Sequence, residues 1–457
     1  MDMRLGRQRS GRARTLVVIA AVAVAAALSL WLFRLGAAPE MTLATDYPAL
    51  GAATRVLARF TARGPGLTAI RLELEQGGRT VVLAEERFPA AGMFGTGTRR
   101  AELAASAGYK PQPWLAAGEA VLRATAARAT GPLRRARQAA TERRVAVRRE
   151  PPQLELLSRQ HHVRQGGSGV VVFRTGATTT RSGVRAGDAE SVSFPVPAGA
   201  TGERFALLGV PWRLANSLQV VLFVEDDAGH RVERRFLDRF RANPPRRDTI
   251  NLTDEFLARV VPAILSATPE FEATGSPLEQ FLAINGRLRE STARRLAEIT
   301  FSSEQRVAWS GAFLQMPGTE RRANFAEERT YRYRGRVVDR QTHLGLDLAS
   351  LAGAPVPAAN SGTVAFAGWL GIYGNAVVLD HGYGLASLYG HLTSLAVARG
   401  ASVRRGETLG TSGATGLAGG DHLHFEILVQ GRSVDPIEWL DPKWIRDNLS
   451  SKLPALQ

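Results

Sequence analysis

Three short stretches near the C-terminal end constrain the fold of this chain most: His343-Leu-Gly-Leu-Asp347, Tyr389-Gly-His391 and His422-Leu-His424. The chain has 8 histidines, five of them between residues 343 and 424, and no cysteine. Two histidines and a carboxylate from separated strands are the ligand set of a catalytic zinc site with one open position. Two further histidines remain for acid–base work. A fold that serves this chemistry has to bring the three stretches together.

The N-terminal segment predicts that most of the chain is exported. Residues 15–33 form a run of 19 residues without a charge, which at about 1.5 Å per residue is long enough to cross a bilayer core. Arginines precede this run, so residues 1–34 are predicted to be a cytoplasmic tail and a single-pass anchor in the inner membrane. The bulk of the chain then lies in the periplasm. A cleaved signal peptide is the alternative interpretation.

The net charge of +16 indicates an anionic partner or surface. Almost all of the positive charge is arginine, because lysine occurs only at positions 110, 443 and 452. Nucleic acid, an anionic membrane face and an acidic polymer all carry the required negative charge. Export of the chain argues against nucleic acid, which leaves the membrane and an extracytoplasmic polymer.

Two β-rich modules are predicted after a short linker at residues 35–45. In the first, residues 46–150, Ile70–Glu75 alternates apolar and polar residues and Gly77-Gly78 follows as a hairpin turn. Closely spaced strands of this kind indicate a sandwich. Pro151-Pro152 marks a boundary, and residues 153–245 form the second sandwich-like module. Its strands and turns resemble the bacterial immunoglobulin-like modules of secreted proteins.

Residues 246–304 change to a helical period. Apolar residues form a stripe between Thr253 and Leu265, and Ser276-Pro277 begins a capping box that is completed by Glu279. This segment is either a helical linker or a regulatory segment that packs against the catalytic groove and restrains it. From residue 305 to 445 the chain returns to an all-β pattern, with strands predicted at residues 362–367, 375–380, 385–389 and 422–429.

The spacing within the histidine stretches leaves alternatives open. His422 and His424 lie about 6.6 Å apart on one strand face, so one ring can bind a metal while the other faces the reacting group, or both can bind it. In a straight strand, His343 and Asp347 would lie roughly 13 Å apart. A shared metal therefore requires a bend, which Gly345 permits.

The three motifs in order resemble the lysostaphin/LytM-type zinc metallopeptidases over about residues 340–430. The shared patterns are H-x-G-x-D, then G-N-x-V-x-L-D-H-G-x-G-x-x-S-x-Y-x-H-L, then T-G-x-x-x-G-x-H-L-H-F-E. The resemblance implies Zn²⁺ as the cofactor, held by His343, Asp347 and His424. It assigns His391 and His422 as the catalytic pair and leaves His381 with a structural role.

The resemblance also implies hydrolysis of the peptide cross-links of bacterial cell-wall peptidoglycan by a LytM-like domain with an open groove. The whole chain is thus predicted to be a mostly β multidomain protein: a transmembrane helix, two β-sandwich-like modules, a helical segment and a C-terminal peptidase domain. Two other functions stay open. One is a catalytically silent LytM-like scaffold that activates another cell-wall hydrolase, with cell-division or wall-synthesis proteins as partners. The other is a general exported metalloprotease.

Overall fold

The computed structural model describes residues 16–28, 38–62, 66–89, 97–128 and 138–456. Residues 16–28 form a helix, α1. Within the described ranges, no helix combines the length and the apolar character that a membrane crossing requires. Thr15 and residues 29–33 of the predicted anchor lie outside the described residues. The chain divides into two compact units, Met1–Pro151 with Asp226–His230, and Pro152–Glu225 with Arg231–Gln457.

The first unit consists of two antiparallel sheets, in the orders β1-β2-β5 and β4-β3-β6-β7. Alternating side chains such as Phe60, Leu72 and Leu122 are buried in one shared core, which accounts for the period-two pattern of these strands. The strands are β1 (Glu40–Thr45), β2 (Thr54–Thr61), β3 (Leu67–Gln76), β4 (Arg79–Arg87), β5 (Arg100–Ala107), β6 (Gly118–Arg128) and β7 (Gln138–Val147).

The prediction of a linker at residues 35–45 is wrong for residues 40–45. Glu40–Thr45 is strand β1, which pairs antiparallel with β2 from Glu40 opposite Thr61 to Thr45 opposite Val56. Met41 and Leu43 pack against the core, whereas the alternate residues face outward. An edge strand with two apolar side chains gives too weak a periodic signal to be recognised in a single sequence.

The second unit begins with another pair of sheets, in the orders β13-β14-β10-β8 and β12-β11-β15-β16. Their facing side chains, among them Phe173, Leu208 and Leu222, form a separate core. Strand β15 begins at Val220, directly after a 3-10 turn at Ser217–Gln219 that the Asn216 side chain caps. The strands are β8 (Leu154–Leu156), β9 (His162–Arg164), β10 (Ser168–Thr175), β11 (Thr179–Ala186), β12 (Ala189–Val192), β13 (Phe194–Pro195), β14 (Glu203–Gly209), β15 (Val220–Asp226), β16 (Arg231–Arg235) and β17 (Arg239–Arg241).

The prediction that residues 246–304 are helical is confirmed for residues 254–301, which contain three helices. They are α2 (Asp254–Ala267), α3 (Pro277–Ala283) and α4 (Arg289–Phe301), with a π-helical turn at Ile284–Leu288 between the last two. The Thr253 hydroxyl accepts a hydrogen bond from the Phe256 amide, and Ser276 and Glu279 cap α3 reciprocally. The apolar stripe of α2 packs with Ile372 and Tyr373 of the following domain.

The same segment also contains a strand that the helical assignment missed. Arg247–Leu252 forms β18, which pairs in parallel with β20 (Glu327–Tyr333), and β20 pairs antiparallel with β21 (Arg336–His343). The sequence RDTINL carries only two apolar residues, so its partner strand rather than its own pattern determines its structure. The chain therefore joins this sheet before the three helices and returns to it after them.

The C-terminal domain is built on an eight-stranded sheet, in the order β19-β22-β30-β26-β25-β24-β28 with β31 beside β30. A smaller sheet follows the order β23-β29-β27. The four predicted strands are present as β24, β25, β26 and β30, although β30 begins one residue after His422. The remaining elements are β19 (Glu320–Ala323), β22 (Leu346–Ala349), β23 (Pro355–Pro357), β24 (Gly362–Trp369), β25 (Asn375–Gly382), β26 (Leu385–Leu392), β27 (Ser394–Leu395), β28 (Ser402–Val403), β29 (Thr408–Thr411), β30 (Leu423–Val429), β31 (Arg432–Val434), α5 (Pro436–Leu440) and α6 (Pro442–Ile445).

Candidate metal centre

The sheet register brings the three histidine stretches together. On the central strand β30, His424 lies opposite Asp347 of β22 on one side and opposite Gly390 of β26 on the other. His391 follows Gly390 directly. The chain bends between β21, which ends at His343, and β22, which begins at Leu346. This break at residues 344–345 is the bend that a shared metal requires.

Three ligand atoms meet at this point. The His343 Nε2 and His424 Nδ1 atoms each lie 2.9 Å from Asp347 Oδ1, and the two nitrogens lie 3.0 Å apart. All three residues are buried. A tetrahedral zinc ion with bonds of about 2.0–2.2 Å separates its ligand atoms by about 3.3–3.5 Å, so small side-chain adjustments would admit the ion.

The outer ring nitrogens of the two histidines are held by acceptors. His343 Nδ1–H donates to the Asn324 carbonyl oxygen at 2.9 Å, and His424 Nε2–H donates to Glu426 Oε1 at 2.8 Å. The opposite nitrogen of each ring therefore presents its lone pair to the centre. Two imidazole lone pairs and one carboxylate fit a zinc ion with one open position.

His391 and His422 lie beside this group. Their ring centroids are 4.9 Å apart, and His422 Nε2 lies 3.5 Å from Asp347 Oδ1. Each ring is oriented by a backbone carbonyl: His391 Nδ1–H donates to Thr415 O and His422 Nδ1–H to Gly420 O, both at 2.8 Å. The Nε2 atom of each ring therefore has no backbone partner. Both residues line the same cavity as His343, Asp347 and His424, the three-residue metal-binding group.

The backbone of His391 is strained, with φ of 64° in the left-handed region. A non-glycine residue in this region costs roughly 1–2 kcal/mol, so the surrounding structure must hold it there. Burial, and then the neighbouring His422 and His424, lower the pKa of His391 well below its ordinary value. The imidazole is consequently neutral, and its Nε2 atom carries the lone pair because Nδ1–H donates to Thr415 O.

Arg329, which no sequence pattern singles out, holds the outer oxygen of Asp347. Arg329 Nη2 donates to Asp347 Oδ2 at 2.8 Å, so that Oδ1 faces the histidines. Burial alone would raise the pKa of Asp347, but His343 and the other two histidines hold it well below its usual range. Arg329 lies in a run with two other arginines, EERTYRYR, and nothing in that run distinguishes it.

A buried carboxylate orients His424 from behind. Glu426 is fully buried, and it accepts hydrogen bonds from His424 Nε2, from the Tyr373 hydroxyl at 2.5 Å and from the Ser433 hydroxyl at 2.6 Å. Strand alternation could have identified it, because residues 424 and 426 share a face of the run HLHFE. A carboxylate behind a histidine ligand fixes the tautomer and orientation of the ring.

We expect Glu426→Gln to weaken metal affinity by about 10-fold to 100-fold, because the amide cannot accept from His424 and Tyr373 with a full negative charge. Competition with a chromogenic chelator measures the affinity. Glu298→Gln, on the exposed face of α4, is the matched control and should leave the affinity unchanged. Equal affinities of the Glu426 variant and the parent would exclude this positioning role.

The remaining histidines are placed away from this group. His381 is buried, donates Nδ1–H to Ser361 O at 2.7 Å and contacts the Ser387 hydroxyl through Nε2 at 2.8 Å. Burial lowers its pKa to about 4, which fits the structural role predicted for it. Within the described parts of the chain, no second group of three metal-binding side chains comes together.

A cavity of about 350 Å³ opens over the three-residue group. Its walls come from several elements: the loop before β30 supplies Leu417, Gly419 and Gly420, and the helical segment supplies Phe256, Phe281 and Arg289. The glycine-rich loop at residues 410–420 thus lines the groove. The helical segment forms a wall of the same cavity, so it is more than a distant spacer.

Comparison with known proteins shows which family the C-terminal domain resembles. A family model described as peptidase family M23 matches residues 341–436. The DD-carboxypeptidase/endopeptidase Mpg of Neisseria meningitidis is 43% identical over 95 residues, which cover 21% of this chain and 22% of that protein. The peptidoglycan DD-endopeptidase ShyB of Vibrio cholerae is 33% identical over 168 residues, which cover 37% of each chain.

A third relative has a different described role. The murein hydrolase activator EnvC of Escherichia coli is 41% identical over 96 residues, which cover 21% of this chain and 23% of that protein. The chain spans between 22% and 37% of the length of these curated relatives. The metal-binding geometry and the matched motifs coincide in position, and residues 341–436 therefore form a domain of peptidase family M23, similar to LytM-type peptidoglycan endopeptidases.

Proposed function

We propose that this protein is a zinc-dependent endopeptidase that hydrolyses peptide cross-links of bacterial cell-wall peptidoglycan. The observation that carries the proposal is the convergence of five residues on one cavity: His343, Asp347 and His424 as ligands, and His391 and His422 beside them. The endopeptidase relatives support the substrate class. A protein that only binds a partner would not need both the ligand set and the two extra imidazoles.

Each of the five residues has its own role in this mechanism. Zinc bound by the ligand triad would supply Lewis-acid activation of the scissile carbonyl and of the attacking water. His391 and His422 present their Nε2 atoms to the cavity, since their Nδ1–H groups are engaged by backbone carbonyls. One of them takes the proton of the water at Nε2 and returns it to the leaving amine, and the other, in its doubly protonated form, donates from Nε2–H to the tetrahedral oxyanion.

The full-length protein, purified in detergent and loaded with zinc, tests the proposal. We expect about one zinc ion per chain and the release of cleaved cross-linked muropeptides from sacculi, identified by mass spectrometry. Casein should remain intact; digestion of casein without digestion of sacculi would instead identify a general exported metalloprotease. A zinc-loaded protein that cleaves neither substrate would refute the proposal.

The activator EnvC motivates a second candidate function, a catalytically silent scaffold that activates another cell-wall hydrolase. Cell-division or wall-synthesis proteins would then be the partners. His391→Ala separates the two functions, because it removes an imidazole from the cavity without removing a ligand. A wild-type cellular phenotype in that variant favours the scaffold, whereas loss of function favours the enzyme.

We further propose that the protein is anchored in the inner membrane by residues 15–33 and works in the periplasm. The uncharged run and the arginines before it support this location. Peptidoglycan as the substrate agrees with an exported site. Fusion of a periplasm-specific reporter to the C-terminus, together with membrane fractionation, tests the topology.

A further inference from the structure

The cavity over the metal-binding group is lined by arginines. Arg289, Arg322 and Arg329 all contribute to its wall, together with the two aspartates Asp347 and Asp421. Arg329 is engaged by Asp347, and Arg322 forms an ion pair with Glu320 at 2.8 Å. Among the described residues, no carboxylate lies within ion-pair distance of Arg289. Its charge is therefore available to a ligand in the cavity.

The guanidinium of Arg289 is held in place by a neutral group. Its Nη2 donates to Asn285 Oδ1 at 2.7 Å, and its Nε donates to the Asn285 carbonyl oxygen at 3.2 Å. The Asn285 amide in turn donates to Asp339 Oδ2 at 2.7 Å. This arrangement orients the arginine and leaves its charge unneutralised. A half-buried cation fixed in this way is suited to a planar, bidentate anion such as a carboxylate.

Arg289 also lies near the reacting centre. Arg289 begins helix α4, which packs against residues Gly371–Tyr373, and both Arg289 and Tyr373 line the cavity. The Tyr373 ring centroid is 5.3 Å from that of His424. An anion bound at Arg289 would thus lie in the same cavity as the metal-binding group.

We infer that Arg289 binds a free carboxylate of the peptide substrate close to the scissile bond, and that the groove therefore selects acidic over amidated cross-links. This inference rests on the proposed function and specifies its substrate. A carboxylate-to-carboxamide change removes the negative charge with almost no change of shape, so it tests charge recognition directly. The apolar side chains of Phe256 and Phe281 line the same cavity, which favours a charge pair there over one in open solvent.

The test uses the zinc-loaded full-length protein and two synthetic cross-linked peptides that are identical except for a carboxylate or a carboxamide beside the scissile bond. We expect the parent protein to cleave the acid form with kcat/KM about 10-fold to 100-fold higher than the amide form. Arg289→Gln should remove this preference, mainly through a higher KM for the acid peptide, and Arg289→Lys should restore part of it. Arg294→Gln, on the exposed face of the same helix, should keep the parent preference.

Binding of the two peptides, measured by calorimetry on the zinc-loaded His391→Ala variant, separates the inference from the proposed function. Cleavage of both peptides at equal rates by the parent protein would overturn the carboxylate subsite and leave the endopeptidase intact. An equal loss of activity toward both peptides in Arg289→Gln would also overturn it, because it would indicate a structural role. Selective, Arg289-dependent binding without any cleavage would support the subsite and refute the endopeptidase.

Discussion

Replacement of Asp347 by alanine should abolish stoichiometric zinc binding and lower hydrolysis of sacculi by about a thousandfold or more. Asp347 is the only anion of the predicted ligand set, and its Oδ1 lies 2.9 Å from both ligand nitrogens. Its other oxygen neutralises Arg329. Removal of the carboxylate leaves the mostly buried Arg329 guanidinium with Glu327, at 3.8 Å, as its ion-pair partner, which costs about 3 kcal/mol of folding stability and weakens the attraction for a metal cation.

Two further variants refine this test. Asp347→Asn keeps the volume of the side chain and should also lose zinc, which would show that charge rather than packing is required. His162→Ala replaces an exposed histidine of the second β module and should behave as the parent protein does. Zinc content by atomic emission and thermal unfolding measure binding and stability separately. Undiminished hydrolysis in Asp347→Ala would refute the assignment of the site.

Gly345→Ala should be the second most damaging single change, although it adds only one methyl group. A Cβ atom at this position would lie 2.7 Å from His424 Nε2 and 2.7 Å from the Phe425 carbonyl oxygen. The carbonyl belongs to the central strand β30 and cannot move without disturbing the sheet. We expect a loss of about 1–3 kcal/mol of stability from overpacking, together with displacement of the His424 ring and at least a tenfold loss of zinc affinity.

Gly286→Ala is the matched control for this change. A Cβ atom at Gly286 would meet no atom within 4 Å, and its backbone is helical. Alanine there should be neutral or slightly stabilising, since glycine is the poorer helix former. Chemical unfolding and chelator competition give the two readouts. A Gly345→Ala protein with parental stability and zinc affinity would show that the bend tolerates a side chain.

The sequence was most informative where chemistry restricts the choice of residue. The three histidine stretches were expected to meet because few residue types bind zinc, and the resemblance to the lysostaphin/LytM-type peptidases implied His343, Asp347 and His424 as the ligands. A bend at Gly345 was expected because a straight strand keeps His343 and Asp347 too far apart. The capping box at Ser276 and the stripe of α2 likewise specify helices through local interactions. These signals need no knowledge of the tertiary fold.

The interactions that could not be predicted join residues of no distinctive type across large separations in the sequence. Arg329 is one of many arginines, and its role depends on the pairing of β20, β21 and β18. Strand β18 has almost no period of its own and is specified by its partner. The role of Glu426 could be predicted only in part. Alternation along β30 places it on the same face as His424, but only the structure reveals Tyr373 and Ser433 as its other partners.

The pairing of β18 with β20, on either side of the three helices, limits how this protein can be divided. The family match begins at residue 341, yet β20, which carries Arg329, lies before it and depends on β18 for one of its two edges. A truncated chain that starts at Gln305 would expose that edge, and one that lacks residues 246–304 would lose Arg289 as well. A transplantable metal-binding unit therefore begins no later than Arg247, and the three helices belong to it. Val170, Val172 and Phe205 of the second β module also lie in the core of the C-terminal domain, so a start at Arg247 would expose that core.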